Sequence, residues 1–439
     1  MTLRNSDKVR PSITFDFRNS KKLDPRVTFT RASFAPASDP SSGSGVAGGS
    51  YNMFNVNVPR LTDQGLLIEE ASTNRWTNSQ VFSSGWTPKD MGTPTDNAAI
   101  APDGTNTAAS VFETATTDTH YIVSSQIVPS ASAALSWSVF VKANGRDYVI
   151  LHILQRFNIA GFYTACVDLT TGEITKEVDS TNAGGVHFSD FTSKVTPCGN
   201  GWYRIEVGFR TQNNNGIQAY IYGATNPNPT IVSGGYPTDT YAGDATKGYY
   251  LWGFQAEDSA YPTSYIPTAG QEVTRAADLC EVTGDNFSSW YNQNEWTVTN
   301  SFNVFGSSNN QLHGATFFGG GGDAVLTSSA ASNTMLHFFL GGPNGTSIID
   351  YSTVPPTNNT DTKSALNFVQ KSTAQGATNG VFATNISKTP GTKGTINQLS
   401  FGQRYKGTTA TNGYIQRFSY YPVHAAVLGA AQIGGIRKL

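Results

Sequence analysis

The chain is poor in charge: 29 Lys and Arg against 31 Asp and Glu make up 14% of 439 residues, with a formal net charge of -2. Without a basic excess there is no electrostatic basis for holding nucleic acid or an anionic membrane surface. The low charge also excludes a long-helix or coiled-coil protein, which would be rich in Ala, Glu, Lys, Leu and Arg. Cysteine is scarce too. Cys166, Cys198 and Cys280 are odd in number, widely spaced and form no C-x-x-C, which argues against a disulfide framework or a zinc site and for small buried apolar residues. No stretch approaches the roughly 18 apolar residues of a membrane span. Met1-Thr2-Leu3-Arg4-Asn5-Ser6-Asp7 lacks the apolar run of a signal peptide, so the expectation is folding in a reducing cytoplasm.

Glycine is abundant, at 44 residues, and aromatics make up 12%. Together with Ser, Thr and Asn, they fit an all-β architecture in which turns separate short strands. The length suggests two or three domains. Strand-like segments recur at Ala108–Glu113, His120–Ile127, Leu135–Lys142, Tyr148–Leu154, Phe162–Asp168, Gly185–Phe191, Ser193–Pro197, Trp202–Phe209, Ile217–Tyr222 and Gly248–Gln255. Pro102-Asp103-Gly104, Asn144-Gly145, Thr171-Gly172 and Asn213-Asn214-Asn215-Gly216 separate several of them as turns. Such spacing predicts one β-sandwich over 79–267. A second series runs Glu295–Val304, Ala315–Phe318, Ala324–Leu326, Leu336–Leu340, Ile348–Tyr351, Ser364–Gln370, Gly380–Thr384, Leu399–Gln403 and Gly413–Tyr421, predicting a second sandwich over 295–439 with a terminal helix at Ala425–Ile433.

Between the two lies Tyr249-Tyr250-Leu251-Trp252-Gly253-Phe254-Gln255-Ala256-Glu257, an aromatic run suited to a buried strand. Tyr261-Pro262-Thr263-Ser264-Tyr265-Ile266-Pro267-Thr268 follows, whose prolines end the ladder and favour an extended path away from the sheet. Residues 268–294 then read as a linker. Residues 1–78 read as a separate N-terminal attachment and assembly segment: a polar arm over 1–12, strands at Ile13-Thr14-Phe15-Asp16-Phe17 and Val27-Thr28-Phe29-Thr30, an exposed loop over 35–50, and a strand-turn at Gly65-Leu66-Leu67-Ile68-Glu69-Glu70.

Three blocks carry a family resemblance. Phe15-Asp16-Phe17 with Leu23-Asp24-Pro25-Arg26-Val27-Thr28-Phe29-Thr30-Arg31-Ala32-Ser33, then Gly65 through Arg75, then the W-G-x-Q-x-E, P-T-S-Y-I-P-T and V-T-R-A-A-D run of Trp252 to Asp278, occur in one order. That pattern resembles bacteriophage virion proteins of tail-fibre, head-fibre or minor structural type. Trp86, Pro102-Asp103-Gly104-Thr105, Ser136 to Lys142 and Gly201-Trp202-Tyr203-Arg204 resemble jelly-roll carbohydrate-binding modules, and Gly413 to Pro422 resembles the last strand of a concanavalin A-like, laminin-G-type sandwich. The resemblance implies a virion protein made in the host bacterial cytoplasm, held to other virion proteins by its N-terminal segment, acting as a homotrimer and recognising host surface glycan. A capsid decoration or head-fibre protein without a dedicated receptor is the alternative.

Few residues offer chemistry. There is no E-x-D-x-x-E, G-x-S-x-G, H-E-x-x-H or P-loop, and the six histidines show no ligand spacing, so no catalytic or metal residue is assigned and the chain reads as non-enzymatic. A depolymerase built from carboxylates on separate strands stays open. Glu69 and Glu70 are adjacent on a strand and so point to opposite faces; Arg31, Arg60 or Arg75 is the expected partner. Phe140, Trp202 and Trp252 read as core. Gln218, Tyr220 and Tyr222 share one sheet face at i, i+2, i+4, and suit a sugar if that face is open. The alternative is a packed or trimer-buried face. Glu257 is the candidate for a structural calcium, although no acidic cluster accompanies it.

Overall fold

A computed structural model describes residues 10–422, apart from 39–50, 130–133, 156–160, 181–187, 212–214, 260, 307–313, 321–323, 330–335, 341–347, 353–359, 370–372, 379–380, 383–394 and 404–410. The expected helix at Ala425–Ile433 therefore lies outside the described residues. Apart from the one-turn helix Asp285–Ser288, the described residues are strands and their connections, in two compact units that interrupt one another along the chain. Unit 1 comprises 1–33, 55–71 and 276–439, and unit 2 comprises 34–54 and 72–275.

Unit 2 holds two six-stranded antiparallel sheets. In one, the strands Phe188–Pro197, Trp202–Thr211, Ala134–Asn144, Gly248–Glu257, Ala108–Phe112 and Thr95–Ala99 follow in that order. In the other the order is Ile174–Asp179, Phe162–Asp168, Tyr148–Gln155, Ile217–Ala224, Tyr121–Ser124 and Trp86–Lys89. Two-residue alternation delivers Val139, Val141, Leu151, Ile153, Ala165, Val207, Ile221 and Leu251 to a shared core, closed at one end by Trp76, Trp86, Trp137 and Phe254. Gly185–Phe191 and Ser193–Pro197, read as two strands, are a single one over their described residues, Phe188–Pro197.

The aromatic run 249–257 changes face partway. Tyr249 and Leu251 enter the core and so do Phe254 and Ala256, a shift of parity across Gly253. Opposite it, the pairing steps from Ser138↔Gln255 to Phe140↔Trp252, so one residue on one strand faces two on the other. Gly253 sits at φ 62, where an added Cβ would lie 2.9 Å from the Phe140 ring and 3.2 Å from the Tyr265 ring. This bulge turns Trp252 to the outer face, where it meets Phe140, Trp202 and Tyr265 in a second small cluster. All three expected core aromatics are thus buried, but on the far side of the sheet.

The Pro262–Pro267 segment departs from expectation. It lies back across that outer face instead of leading away. Ile266 donates its N–H to Gln255 Oε1 at 2.6 Å, Arg204 donates to Thr263 O at 2.7 Å, and the Tyr265 hydroxyl bonds Ser79 at 2.6 Å. Proline ends the ladder, but side-chain amides and hydroxyls continue the pairing.

Unit 1 corrects the expected division of the chain. Ile13–Asp16 pairs with the last strand, Asn412–Tyr421, through Ile13↔Tyr420 to Asp16↔Arg417, and Gly65–Ile68 pairs with the same strand through Gly413↔Ile68. Thr28–Thr30 joins the opposite sheet beside Leu279–Thr283. Phe15, Phe17, Phe29, Leu66 and Ile68 pack with Trp296, Phe317, Phe401 and Phe418 in one core. Residues 1–78 are thus no separate attachment segment: 13–33 and 55–71 are strands and turns of the C-terminal sandwich. The physical reason is that each N-terminal strand is three or four residues long and apolar on one face, unable to bury that face alone, while the final strand offers an unpaired edge. Nor is 268–294 a linker, since Val273–Arg275 pairs with Ser72–Asn74 and Leu279–Thr283 is a sheet strand. The expected exposed loop over 35–50 begins as the strand Ala35–Ser38, paired with Tyr51–Phe54.

What closes these excursions is a buried ion cluster. Asp278 accepts from Arg31 at 3.2 Å and from Arg60 through its other oxygen, Arg60 also donates to Glu69 at 2.6 Å, and all four side chains are at most 4% exposed. Asp278 and Glu69 exchange backbone contacts as well, with Glu69 N–H on the Asp278 carboxylate and Asp278 N–H on Glu69 O. Glu69 thus finds Arg60, one of its expected partners, while Glu70 turns the other way and bonds Asn412 at 3.0 Å.

The bulge yields a test. Gly253→Ala forces a left-handed residue against two rings and is expected to lower the stability of unit 2 by roughly 2 kcal/mol in denaturant unfolding. A loss below about 0.5 kcal/mol would show that the bulge is not constrained.

Candidate ligand-binding face

The face of unit 2 opposite its core, on the Ile217–Ala224 sheet, carries a group of half-exposed tyrosines. Cross-strand register sets who shares it. One row runs Lys89, Tyr121, Tyr222, Ile150, Cys166 and Lys176; the next includes Val123, Tyr220, His152 and Thr164. Tyr121 lies 4.6 Å from Tyr222 and 5.5 Å from Tyr220 between ring centroids, and Tyr220 stacks on Tyr222 at 5.9 Å. Tyr121, Tyr148 and Tyr220 are half-buried around a floor of Ile150, Cys166, Tyr222 and Ala224.

The three sequence candidates do share this face, but unequally. Gln218 is 8% exposed and donates its amide to Ser124 O at 2.8 Å; Tyr222 is 4% exposed. Only Tyr220 among them is half-open to solvent. Burial, with the neighbouring phenols of Tyr121, Tyr220 and Tyr236, raises the Tyr222 pKa, so its hydroxyl stays neutral. The half-exposed surface is therefore made by Tyr220 with Tyr121, Tyr148 and Tyr236, three residues the alternation did not single out. Tyr121 and Tyr148 arrive from flanking strands. Tyr236 comes from the 225–243 connection, which folds over the sheet: Thr164 donates to Gly235 O at 2.7 Å, and Gly235, at φ 74, rests on the Phe162 ring so closely that a Cβ would lie 2.1 Å away.

Beneath the tyrosines lies His152, fully buried, with ring centroids 5.3 Å from Tyr220 and 5.1 Å from Tyr236. Its Nδ1 is 2.8 Å from Thr164 Oγ1. Since that hydroxyl spends its proton on Gly235 O, Nδ1 carries the hydrogen and donates. Nε2 is left as a buried acceptor without a partner among the described residues. Desolvation pushes the His152 pKa down to about 3.

Other polar candidates are already engaged. The Glu257 carboxylate accepts from Ser72 at 2.5 Å, from Thr263 N–H at 2.8 Å and hydroxyl at 2.5 Å, and from Gln255 at 2.5 Å, so both oxygens are held by donors that leave little for a calcium ion. Burial raises its pKa above the ordinary value. Glu113 is held by Arg146 through two bonds of 2.7 Å, by the Tyr241 hydroxyl and by Asp244 N–H. Among the described residues no three His, Cys, Asp or Glu gather as metal ligands, and no helix is long and apolar enough to cross a membrane.

No protein-family model matches the sequence, and no curated protein does. Among solved structures, similarity extends to one described as "Cell entry of botulinum neurotoxin type C is dependent upon interaction with two ganglioside molecules", at 10% identity and TM-score 0.28, over 36% of this chain and 39% of that one. The mouse laminin alpha1 chain, domains LG4-5, matches at 9% identity and TM-score 0.24, over 70% of this chain and 86% of that one. The Trypanosoma rangeli sialidase matches at 9% and 0.24, over 74% and 59%. The chain spans 39% of the length of the first of these. Likeness at this level carries no argument about function.

His152 gives the site a pH signature. Its folded pKa of about 3 lies below the ordinary 6.5, so as pH falls the unfolded chain takes up the proton first. The associated stability is complete above about 6.5 and drains away toward 3, by about 1.4 kcal/mol per pH unit. His152→Gln should remove that slope between pH 6 and 4 relative to the native chain. Identical slopes would mean that His152 is not held neutral.

Proposed function

We propose that the protein is a bacteriophage virion component of the fibre type, and that it recognises host surface glycan through the tyrosine face of unit 2. The observation that carries the glycan reading is the group of half-exposed phenols, Tyr121, Tyr148, Tyr220 and Tyr236, around a buried floor of Ile150, Cys166, Tyr222 and Ala224. Tyrosines offer a flat apolar surface for sugar C–H groups and a polar edge for sugar oxygens. The virion assignment is supported by the order of the three sequence blocks, whose Arg31, Glu69 and Asp278 meet in one buried cluster.

In this reading the chain binds sugar without cleaving it. Glu69, Glu113, Glu257 and Asp278, its most buried described carboxylates, are each committed to internal hydrogen bonds. Attachment to other virion proteins belongs to unit 1, which contains the N-terminal blocks. Assembly as a trimer converts weak single-site sugar binding into useful avidity.

Immunogold labelling of the phage particles that carry this gene tests the placement: label at the tail tip is expected. Label spread over the capsid would contradict the fibre reading and favour a decoration protein. Purified protein is expected to bind host cells, with Tyr220→Ala weakening binding by about tenfold or more, equivalent to about 1.4 kcal/mol or more. Release of reducing ends from host polysaccharide would overturn the non-enzymatic reading.

A further inference from the structure

The charges around the tyrosine face select among sugars. We infer that it takes an uncharged, hexose-type glycan and discriminates against uronate- or sialate-bearing ones; this rests on the glycan-binding reading above. The register places a lysine at each edge of the face, Lys89 beside Tyr121 and Lys176 beside Cys166. Both already have acceptors within the chain. Lys89 donates to Asp118 at 2.8 Å and also to Asp90. Lys176 donates to Pro229 O at 2.6 Å and lies close enough to Asp239 to help hold that carboxyl below its ordinary pKa. Asp168 stands opposite Tyr148 at the end of the hairpin, its oxygen held by Thr170 at 2.6 Å. Two ammonium groups therefore meet four carboxylates, Asp90, Asp118, Asp168 and Asp239, among the described residues of the rim, a formal excess of negative charge.

The interior of the face points the same way. The groups turned toward a ligand are phenols, and His152 beneath them is fully buried, so it adds no positive charge to the surface. No described arginine stands on the face to form the two-pronged bond by which acidic sugars are ordinarily held. Stacking on tyrosine is indifferent to charge, so the discrimination comes from the rim.

The test uses the full chain, neutral gluco- and galacto-configured trisaccharides, and the same trisaccharides carrying a terminal uronic or sialic acid. Affinities are measured by calorimetry at about 50 mM and about 500 mM salt, where the Debye length falls from about 14 Å to about 4 Å. A neutral trisaccharide is expected to bind with less than about twofold change between the salts, to lose about tenfold or more in Tyr220→Ala, and to exceed its acidic counterpart by about tenfold at low salt. Tyr220→Phe, which keeps the ring, separates loss of stacking from misfolding and should retain most of the affinity. Tighter, strongly salt-dependent binding of the acidic sugar that Tyr220→Ala still abolishes would overturn the present inference and leave the glycan face standing. Binding of neither kind, or binding that ignores Tyr220→Ala, would overturn both.

Discussion

Asp278 is one carboxylate buried between two buried arginines, and the architecture of unit 1 depends on it. Three charges taken out of water are costly unless every one is matched, and here Glu69 supplies the fourth. The four residues come from positions 31, 60, 69 and 278, so the cluster exists only when strands far apart in sequence are already in register. An ion network of this kind contributes little net stability over an apolar core, but removing one member strands its partners and costs about 3–5 kcal/mol. It acts as a register pin: the chain leaves unit 1 after 33 and after 71 and returns at 55 and at 276, and each return brings a charged residue that the cluster requires.

That pin also connects the three sequence blocks. Arg31 lies within the F-T-R-A-S block, Glu69 lies in L-I-E-E-A, and Asp278 closes V-T-R-A-A-D; they are far apart in sequence, but their side chains join one cluster with Arg60. Gly253 of the aromatic run has a comparable role in unit 2, where its bulge allows Trp252 and Phe254 to face opposite ways from a two-residue spacing that would otherwise align them.

Much of the fold was legible. Alternation and turn residues located most strands of both sandwiches, often to within a residue or two, and placed Phe140, Trp202 and Trp252 in the interior, because local pattern governs which residues are apolar on one face. Topology was not legible. Ile13–Asp16 pairs with a strand some 400 residues away, and nothing in a four-residue apolar alternation names its partner. The same limit applies to the site. Placing Gln218, Tyr220 and Tyr222 on one face needed only period two, whereas Tyr121, Tyr148 and His152 joined them through cross-strand register, and Tyr236 through a long connection. Gln218 and Tyr222 are closed off for the same reason: what covers a face is decided by elements elsewhere in the chain.

The claim on which most rests is that the N-terminal blocks are strands of the C-terminal sandwich, locked by Asp278. Hydrogen exchange read by mass spectrometry on the native chain and on Asp278→Asn tests it directly. The account predicts that in the native chain 13–16, 28–30 and 65–68 exchange as slowly as 412–421, and that all four lose protection together in the variant while 134–144 and 248–257 keep theirs. Rapid exchange of the N-terminal strands in the native chain, beside a protected 412–421, would contradict it.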